Sequence, residues 1–187
     1  MNPSREYILN KIRALRQEVV EAPIIPEFEV AEDLVSTFKI SSAANKGEVI
    51  DREAFVALLE SGQYPRIYST AKGFESYTNI TVPQDPHEFS DLSLAVVEGQ
   101  FGVAENGAIW LDEENLEFRI LPFITEHLVI LLDKKKLVGN MHQAYAKIGN
   151  TKSGFGLFTA GPSKTADIEQ SLVIGAHGAK SLKIVMI

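Results

Sequence analysis

The chain has 187 residues, of which 18 are basic and 25 acidic, so its net charge is −7. This length and a hydrophobic content of 45 % are typical of one soluble domain with a sizeable core. The acidic balance argues against nucleic acid binding, which favours a basic surface. The sequence contains no cysteine, which excludes disulfides, thiolate zinc sites, a cysteine nucleophile and a cysteine-held iron–sulfur cluster.

Targeting and membrane signals are not evident in the sequence. The first ten residues lack the continuous apolar core of a signal peptide. The longest apolar runs, 128–132 and 184–187, are far shorter than the roughly 20 residues of a membrane helix. The four histidines are dispersed, and no pair has metal-ligand spacing. We therefore expect a cytoplasmic protein with no membrane span and no metal site.

An amphipathic helix is predicted over residues 4–21, with Ser4 as its cap. Its apolar residues recur at three- and four-residue spacing: Ile8, Ile12, Leu15 and Val19. Its basic residues are typical of the solvated face of a docking helix: Arg5, Lys11, Arg13 and Arg16. Two prolines in 22–28 end the helix. We therefore predict a helix and linker over 1–30 and an α/β domain over 31–187.

Helix and strand signals alternate from residue 33 onwards. Asp51 is predicted to cap a helix over 52–60 that ends at Gly62, and a further helix is predicted over 137–148. The prolines of 78–90 indicate a loop. Short strands are predicted at 66–69, 94–97, 101–104, 108–111 and 127–132.

The last third of the sequence has the pattern of a βαβ unit. A strand over 155–159, a helix over 166–174 and an apolar strand over 182–187 predict a right-handed crossover. A strand that is apolar at nearly every position is typical of the buried interior of a parallel sheet. The sequence therefore predicts an α/β domain with helices on both faces of the sheet.

The first candidate site is the loop between the predicted strand 155–159 and helix 166–174. Such a loop lies at the carboxyl edge of a parallel sheet, where ligands bind. Gly161 permits close approach, Ser163 or Thr165 can cap the helix, and Lys164 adds charge, so the loop is suited to an anion. The alternative is a helix start that is simply well capped, with Asp167 and Glu169 supporting the helix dipole.

Two further candidates have both a structural and a functional interpretation. Asn106-Gly107 between apolar runs predicts a tight hairpin turn. Glu105 is then either a turn residue or a carboxylate at a strand end that can act as nucleophile or base. His177 is predicted to follow the helix 166–174, where it either interacts with the helix dipole or faces the loop of a neighbouring element.

Residues 159–169 (TAGPSKTADIE) and 172–178 (LVIGAHG) resemble the signature of the LUD-domain family, in particular its lactate utilisation protein C (YkgG-like) group. The family motif runs S-G-P-S-x-T-A-D-I-E and then L-V-x-G-x-H-G-P. Ala160 stands for the family's serine and Ala179 for its last proline. Residues 104–108 are similar to the family's A-E-T-G-T, with Asn106 and Ala108 in place of two threonines.

The resemblance implies a three-layer α/β fold with a mostly parallel sheet, similar to ribose-phosphate isomerase, glucosamine-phosphate deaminase and coenzyme A transferases. It implies a role in oxidising L-lactate to pyruvate, as one subunit of a three-protein system whose iron–sulfur clusters belong to partner subunits. No cofactor is expected on this chain. The expected ligand site takes a small anion and comprises Gly161, Ser163, Lys164, Thr165, Asn106 and His177, with Asp167 and Glu169 orienting the loop.

A second resemblance concerns the turn alone. Glu105-Asn106-Gly107 is similar to the S-E-N-G turn of coenzyme A transferases, in which the glutamate forms the acyl intermediate, and Ala104 replaces the serine. This similarity implies a catalytic role for Glu105 in an alternative function, that of a coenzyme A transferase-like enzyme. A third alternative is a module that binds or senses a small anion without chemistry.

Overall fold

The computed structural model describes residues 3–15, 20–21, 23–149, 154–166 and 172–187. Its α-helices are α1 (Pro3–Ala14), α2 (Leu34–Ala44), α3 (Arg52–Glu60), α4 (Leu121–Ile124) and α5 (Met141–Ile148). The first strands are β1 (Gly47–Ile50), β2 (Ile67–Ser69), β3 (Leu94–Glu98), β4 (Phe101–Val103), β5 (Ala108–Asp112) and β6 (His127–Leu132). The later strands are β7 (Leu137–Val138), β8 (Gly156–Thr159), β9 (Lys164–Ala166), β10 (Leu172–Ile174) and β11 (Ser181–Met186).

The centre of the fold is a five-stranded sheet in the order β1-β11-β6-β3-β2, in which all neighbours are parallel. Its strands are almost continuously apolar because both faces of the sheet are buried. In β6, Leu128, Ile130 and Leu132 pack into the cluster on one face. Val129 and Leu131 pack into the cluster on the other.

One face of this sheet is covered by α3, which inserts Phe55 and Leu59. The helix begins at Arg52 because the Asp51 carboxylate accepts a hydrogen bond of 2.7 Å from the amide of Ala54. Past the end of the helix, Gly62 adopts a φ of +72°. The predicted helix over 52–60 and its Asp51 cap are therefore confirmed.

The other face is covered by α2, through Phe38, and by a second sheet in the order β7-β4-β5-β8. Ile109 and Leu111 of β5 point from the second sheet into the shared core. The opposite side of this sheet packs on Ala144 of α5. The predicted class, mixed α/β with a mostly parallel central sheet and an N-terminal helix, is confirmed. A strand layer occupies much of the face where we expected helices.

The predicted helix over 166–174 is wrong. The described residues at its two ends, Ala166 and Leu172–Ile174, belong to strands β9 and β10, which pair antiparallel with Lys164 opposite Ile174. Thr165, Val173 and Ile174 are β-branched and suit a strand, and a short apolar run fits helical and strand spacing about equally. Asp167 and Glu169 lie outside the described residues. His177 therefore follows a strand, β10, and not a helix.

The predicted βαβ unit is also wrong. β8 pairs antiparallel with β5 in the second sheet, whereas β11 lies between β1 and β6 in the central sheet. The loop after β8 is therefore not at the carboxyl edge of the central sheet. The pairing partner of a strand is a long-range property, and the sequence of β8 alone does not specify it.

Two other helices are shorter than predicted. The segment predicted as one helix over 137–148 contains β7 and then α5, which begins after Asn140. The Asn140 side chain accepts a hydrogen bond from Gln143 N (3.0 Å), and the Gln143 side chain accepts one from Gly139 N (2.7 Å). Near the amino terminus, α1 ends at Ala14, and residues 16–19 of the predicted helix lie outside the described residues.

Among the helices that the structure describes, none is both long and apolar enough to cross a bilayer.

Candidate functional site

The loop after β8 and the segment after β10 together line a cavity of about 240 Å³. Two backbone hydrogen bonds of 2.9 Å hold these segments in place, from Ser163 N to Ala179 O and from Gly175 N to Ser163 O. Gly178 packs against the Ser163 side chain, since a Cβ on Gly178 would lie 3.1 Å from Ser163 Cβ. The structure thus brings Ser163 and His177, which are distant in the sequence, to one cavity.

The rest of the lining is largely apolar. It includes Pro122, Phe123, Leu128, Leu157, Phe158 and Leu182. Leu128 and Leu182 stand near the amino ends of β6 and β11, so the cavity lies at the amino edge of the central sheet. None of the described residues that line it is acidic, although the chain has a net charge of −7. His177 is the titratable residue of this lining.

Gly161 packs closely on the end of α2. Its φ is +75°, and a Cβ at this position would lie 2.0 Å from the carbonyl oxygen of Asn45. The Lys164 ammonium lies 3.2 Å from Ala160 O and 3.4 Å from Asn45 Oδ1. Thr165 lies within β9, opposite Val173. Lys164 and Thr165 therefore stand beside the cavity and do not line it.

The predicted hairpin turn is present between β4 and β5. Gly107 supplies the φ of +66° that the turn requires, and Asn106 Oδ1 accepts a hydrogen bond of 3.0 Å from Ala108 N. The turn lies against α2, because a Cβ on Gly107 would be 2.6 Å from the amide nitrogen of Ser42. The prediction of a tight turn at Asn106-Gly107 is therefore confirmed.

Glu105 is exposed, and its carboxylate accepts a hydrogen bond of 3.0 Å from the amide of Met141, the first residue of α5. This arrangement places a negative charge at the positive end of the helix dipole. Glu105 and Asn106 do not line the cavity that contains His177, so the expected convergence in one cleft does not occur. Catalysis by Glu105 stays a prediction.

The carboxyl end of α2 joins the two motifs, and it was not among the predicted site residues. Asn45 Nδ2 donates a hydrogen bond of 2.8 Å to Asn106 O, while Asn45 O faces Gly161. Ser41 Oγ donates a hydrogen bond of 3.1 Å to Glu105 O. Asn45, followed by Gly47, is a recognisable signal for the end of a helix. The signal does not indicate which distant residues the end of the helix contacts.

A partly buried histidine begins β6 at the same amino edge. His127 Nδ1 is 2.7 Å from Ser181 Oγ, and its ring lies edge-on to Tyr64 with ring centroids 5.2 Å apart. Burial lowers the pKa of His127 below its ordinary value, because the charged form loses hydration. The neighbouring Glu126 carboxylate opposes this effect on the His127 pKa.

A cavity at the carboxyl edge of the central sheet is much more acidic than the one that contains His177. Its volume is about 310 Å³, and it is lined by Thr70, Lys72, Glu98, Glu113, Glu114, Asn115 and Glu117. The Glu98 carboxylate accepts a hydrogen bond of 2.7 Å from Lys72 N. Within the described ranges, no three His, Asp or Glu side chains are placed so that they could hold a metal ion. The cavity that contains His177 differs from this acidic cavity, since none of the described residues of its lining is a carboxylate.

The parallel central sheet, the mixed second sheet behind it and the cavity between the Gly-Pro-Ser and His-Gly segments define a two-sheet α/β class of domain. The chain belongs to the LUD domain family, whose family model matches residues 23–187.

Several curated relatives are similar over about half of the chain. Lactate utilization protein C of Bacillus pumilus is 33 % identical over 92 residues, which are 46 % of this chain and 38 % of that protein. Lactate utilization protein C 1 of Bacillus mycoides is 34 % identical over 96 residues, 48 % of this chain and 37 % of that protein. An uncharacterized protein of Neisseria meningitidis is 30 % identical over 102 residues, 53 % of this chain and 44 % of that protein. The matched region thus spans well under half the length of these relatives.

A solved structure supports the fold independently. The crystal structure of a DUF162 family protein from Deinococcus radiodurans aligns with a TM-score of 0.58. The alignment covers 82 % of this chain and 95 % of that chain, at 13 % identity. At this identity the similarity concerns the fold alone.

Proposed function

We propose that this LUD domain is a component of lactate utilisation that binds a small carboxylate in the cavity between Ser163 and His177. The similarity to proteins named lactate utilization protein C supports the role in lactate utilisation. The observation that carries the ligand assignment is the junction of the Gly161–Ser163 loop with the His177–Ala179 segment around one cavity.

The chemistry of this cavity suits a short carboxylate. The hydroxyl of Ser163 and the imidazole of His177 can both donate hydrogen bonds to a carboxylate oxygen. The apolar lining suits a methyl group, such as the one that lactate and pyruvate carry. A lining without acidic side chains leaves the bound anion free of like-charge repulsion at close range.

Electron transfer in such a system would take place on partner subunits. Lactate oxidation releases two electrons, and this chain contains no cysteine with which to hold an iron–sulfur cluster. We therefore propose that iron–sulfur partner subunits carry the clusters and that this chain contributes ligand binding. Co-purification of tagged chain with those subunits tests this part, and a chain that stays alone beside them would contradict it.

The ligand assignment is tested by calorimetric titration of the chain with L-lactate, pyruvate and inorganic phosphate. We expect a carboxylate to bind more tightly than phosphate, and Ser163→Ala and His177→Ala each to weaken binding about tenfold or more, the equivalent of a hydrogen bond to a charged group. His87→Ala is the matched control, because His87 is also exposed but lies in the loop before β3.

Two results would refute the assignment. One is the absence of heat and of thermal stabilisation with both carboxylates at millimolar concentration, since a bound ligand must stabilise the native state. The other is equal weakening by His87→Ala and His177→Ala, which would point to a general charge effect and not to this cavity.

A further inference from the structure

Helix α1 presents an apolar stripe to solvent. Tyr7, Ile8, Ile12 and Leu15 are 56 % to 68 % exposed, and Ile8, Ile12 and Leu15 recur at helical spacing. A helix of 12 residues is only marginally stable in water without a packing partner. The stripe is therefore a surface that requires a partner.

A groove of suitable character lies beside the edge strand β1. Its cavity volume is about 580 Å³, and it runs between α2 and the end of β11. The lining combines apolar groups with two carboxylates and one ammonium: Ala43, Gly47, Val49, Ile50, Met186, Glu48, Asp51 and Lys39. The Glu48 carboxylate also pairs with Lys183. β1 forms the edge of the central sheet, so this side of the described fold has no further strand beyond it.

We propose that α1 of one copy of this chain docks in the β1 groove of a second copy, and that the exchange is reciprocal. The apolar stripe would cover Val49, Ile50 and Met186, while the basic side chains of α1 would face the acidic surface around the groove.

Charge favours α1 as the occupant of the groove, and the exposed stripe shows that α1 does not occupy the groove of its own chain. Helix α1 carries Arg5, Lys11 and Arg13 against Glu6, a net charge of +2. The whole chain carries −7, so the remainder carries −9 and attracts the helix. Two copies of α1 both carry a positive charge and repel each other, so charge does not favour pairing of α1 with another α1.

Reciprocity favours a stable contact. Stable interfaces bury on the order of 800 Å² per partner, which is more than a single short helix supplies. In a twofold exchange each copy contributes both a helix and a groove, so the buried area doubles with no additional element.

The test is the mass of the chain in solution, by light scattering after gel filtration over a range of concentrations. We expect a dimer, and a dimer dissociation constant raised about tenfold or more in Ile8→Asp/Ile12→Asp, which removes the apolar stripe. Ala43→Arg places bulk and positive charge in the groove and should have the same effect. Ala44→Arg is the matched control, since Ala44 is the exposed neighbour that does not line the groove.

An experiment that mixes the helix variant with the groove variant tests whether α1 of one copy binds the groove of the other. Ile8→Asp/Ile12→Asp keeps an intact groove and Ala43→Arg keeps an intact helix, so an equimolar mixture can form one helix–groove contact, whereas each variant alone can form none. The mixed dimer should therefore be weaker than the wild-type dimer but tighter than a dimer of either variant. A monomeric wild-type chain would overturn the proposal, whether its α1 is free, bound in its own groove or captured by lipid vesicles. A dimer that survives Ile8→Asp/Ile12→Asp, or one disrupted equally by Ala44→Arg, would overturn it as well.

Discussion

Asn45 Nδ2 donates a hydrogen bond of 2.8 Å to the carbonyl oxygen of Asn106, across 61 residues of sequence. The backbone carbonyl of the same asparagine contacts Gly161. The end of α2 therefore contacts both the hairpin turn of the second sheet and the loop that lines the cavity between Ser163 and His177.

Replacing Asn45 by alanine should loosen the hairpin turn, whereas the backbone carbonyl that contacts Gly161 is retained. The carbonyl oxygen of Asn106 would lose its partner in a partly buried position, which costs about 1–3 kcal/mol. Urea unfolding measures this loss. Asn10→Ala on the exposed face of α1 is the control and should change stability by less than about 0.5 kcal/mol. Equal stability of the two variants would show that the Asn45 bond contributes nothing.

Gly161→Ala should lower the free energy of unfolding by more than the positive φ of this residue alone would account for. Gly161 and Gly62 have nearly the same φ, +75° and +72°, but a Cβ would meet Asn45 O at Gly161 and nothing within 4 Å at Gly62. Gly62→Ala therefore measures the conformational cost, about 1–2 kcal/mol. We expect Gly161→Ala to exceed it by about 1–3 kcal/mol, because the loop must move away from α2. Similar losses in the two variants would mean that the loop moves freely.

Stability should fall on mild acidification because of His127. Burial lowers the pKa of this imidazole in the folded state, so the unfolded chain takes up the proton first as the pH falls below about 6.5. The free energy of unfolding then decreases until the pH reaches the lower, folded pKa, and is level below it. His127→Asn should remove this slope, whereas His87→Asn on the exposed loop should retain it.

The effect of Glu126 on stability can be distinguished from that of His127 because it occurs in a lower pH range. Its bond to Lys180 lowers the pKa of the Glu126 carboxyl, so this stabilisation is present above the ordinary carboxyl pKa near 4.5 and is lost below it. A slope confined to pH below about 5 would therefore indicate carboxylates and contradict the role of His127.

Glu105→Gln should weaken the start of α5. The carboxylate accepts the Met141 amide at the positive end of the helix dipole, a contribution of about 0.3–1 kcal/mol near a surface. Chemical denaturation measures the change, with the exposed Glu32→Gln as control. No difference between the two would refute this capping role.

The alternative function of Glu105 has a direct chemical test. A nucleophilic glutamate incubated with an acyl-coenzyme A forms a thioester that borohydride reduces, and mass spectrometry locates the product. An adduct at Glu105 would support the transferase alternative. No adduct, together with unchanged ligand binding in Glu105→Ala, would remove it.

Features controlled by neighbouring residues were predictable from the sequence. Asp51 caps α3 with its own carboxylate, and Asn106-Gly107 forms a turn from the φ preference of glycine and one side-chain bond. The buried strand β6 follows from a continuous apolar run. The sequence signal for each of these features lies in a short run of neighbouring residues.

Features that depend on distant partners were not predictable. The apolar residues around Thr165 and Val173 fit the residue spacing of a helix about as well as that of a strand. Only the antiparallel pairing of β9 with β10 shows that these residues form strands. β8 joins β5 and not the central sheet, in a pairing that sets Trp110 against Phe158, 48 residues away in sequence, with ring centroids 4.8 Å apart. For the same reason Ser163 and His177 meet in a cavity at the amino edge of the sheet, opposite to the edge expected.

The position of β11 between β1 and β6 has a consequence for synthesis of the chain on the ribosome. β1 is made early, yet the strand to which it bonds comprises residues 181–186, so more than 130 residues must be translated before Gly47 finds Leu182. Until then β1 and the exposed apolar edge of β6 lack the strand that separates them. Nascent chains halted before residue 181 should therefore bind chaperones that recognise unpaired apolar strands, and release from them should await the emergence of β11 from the ribosome.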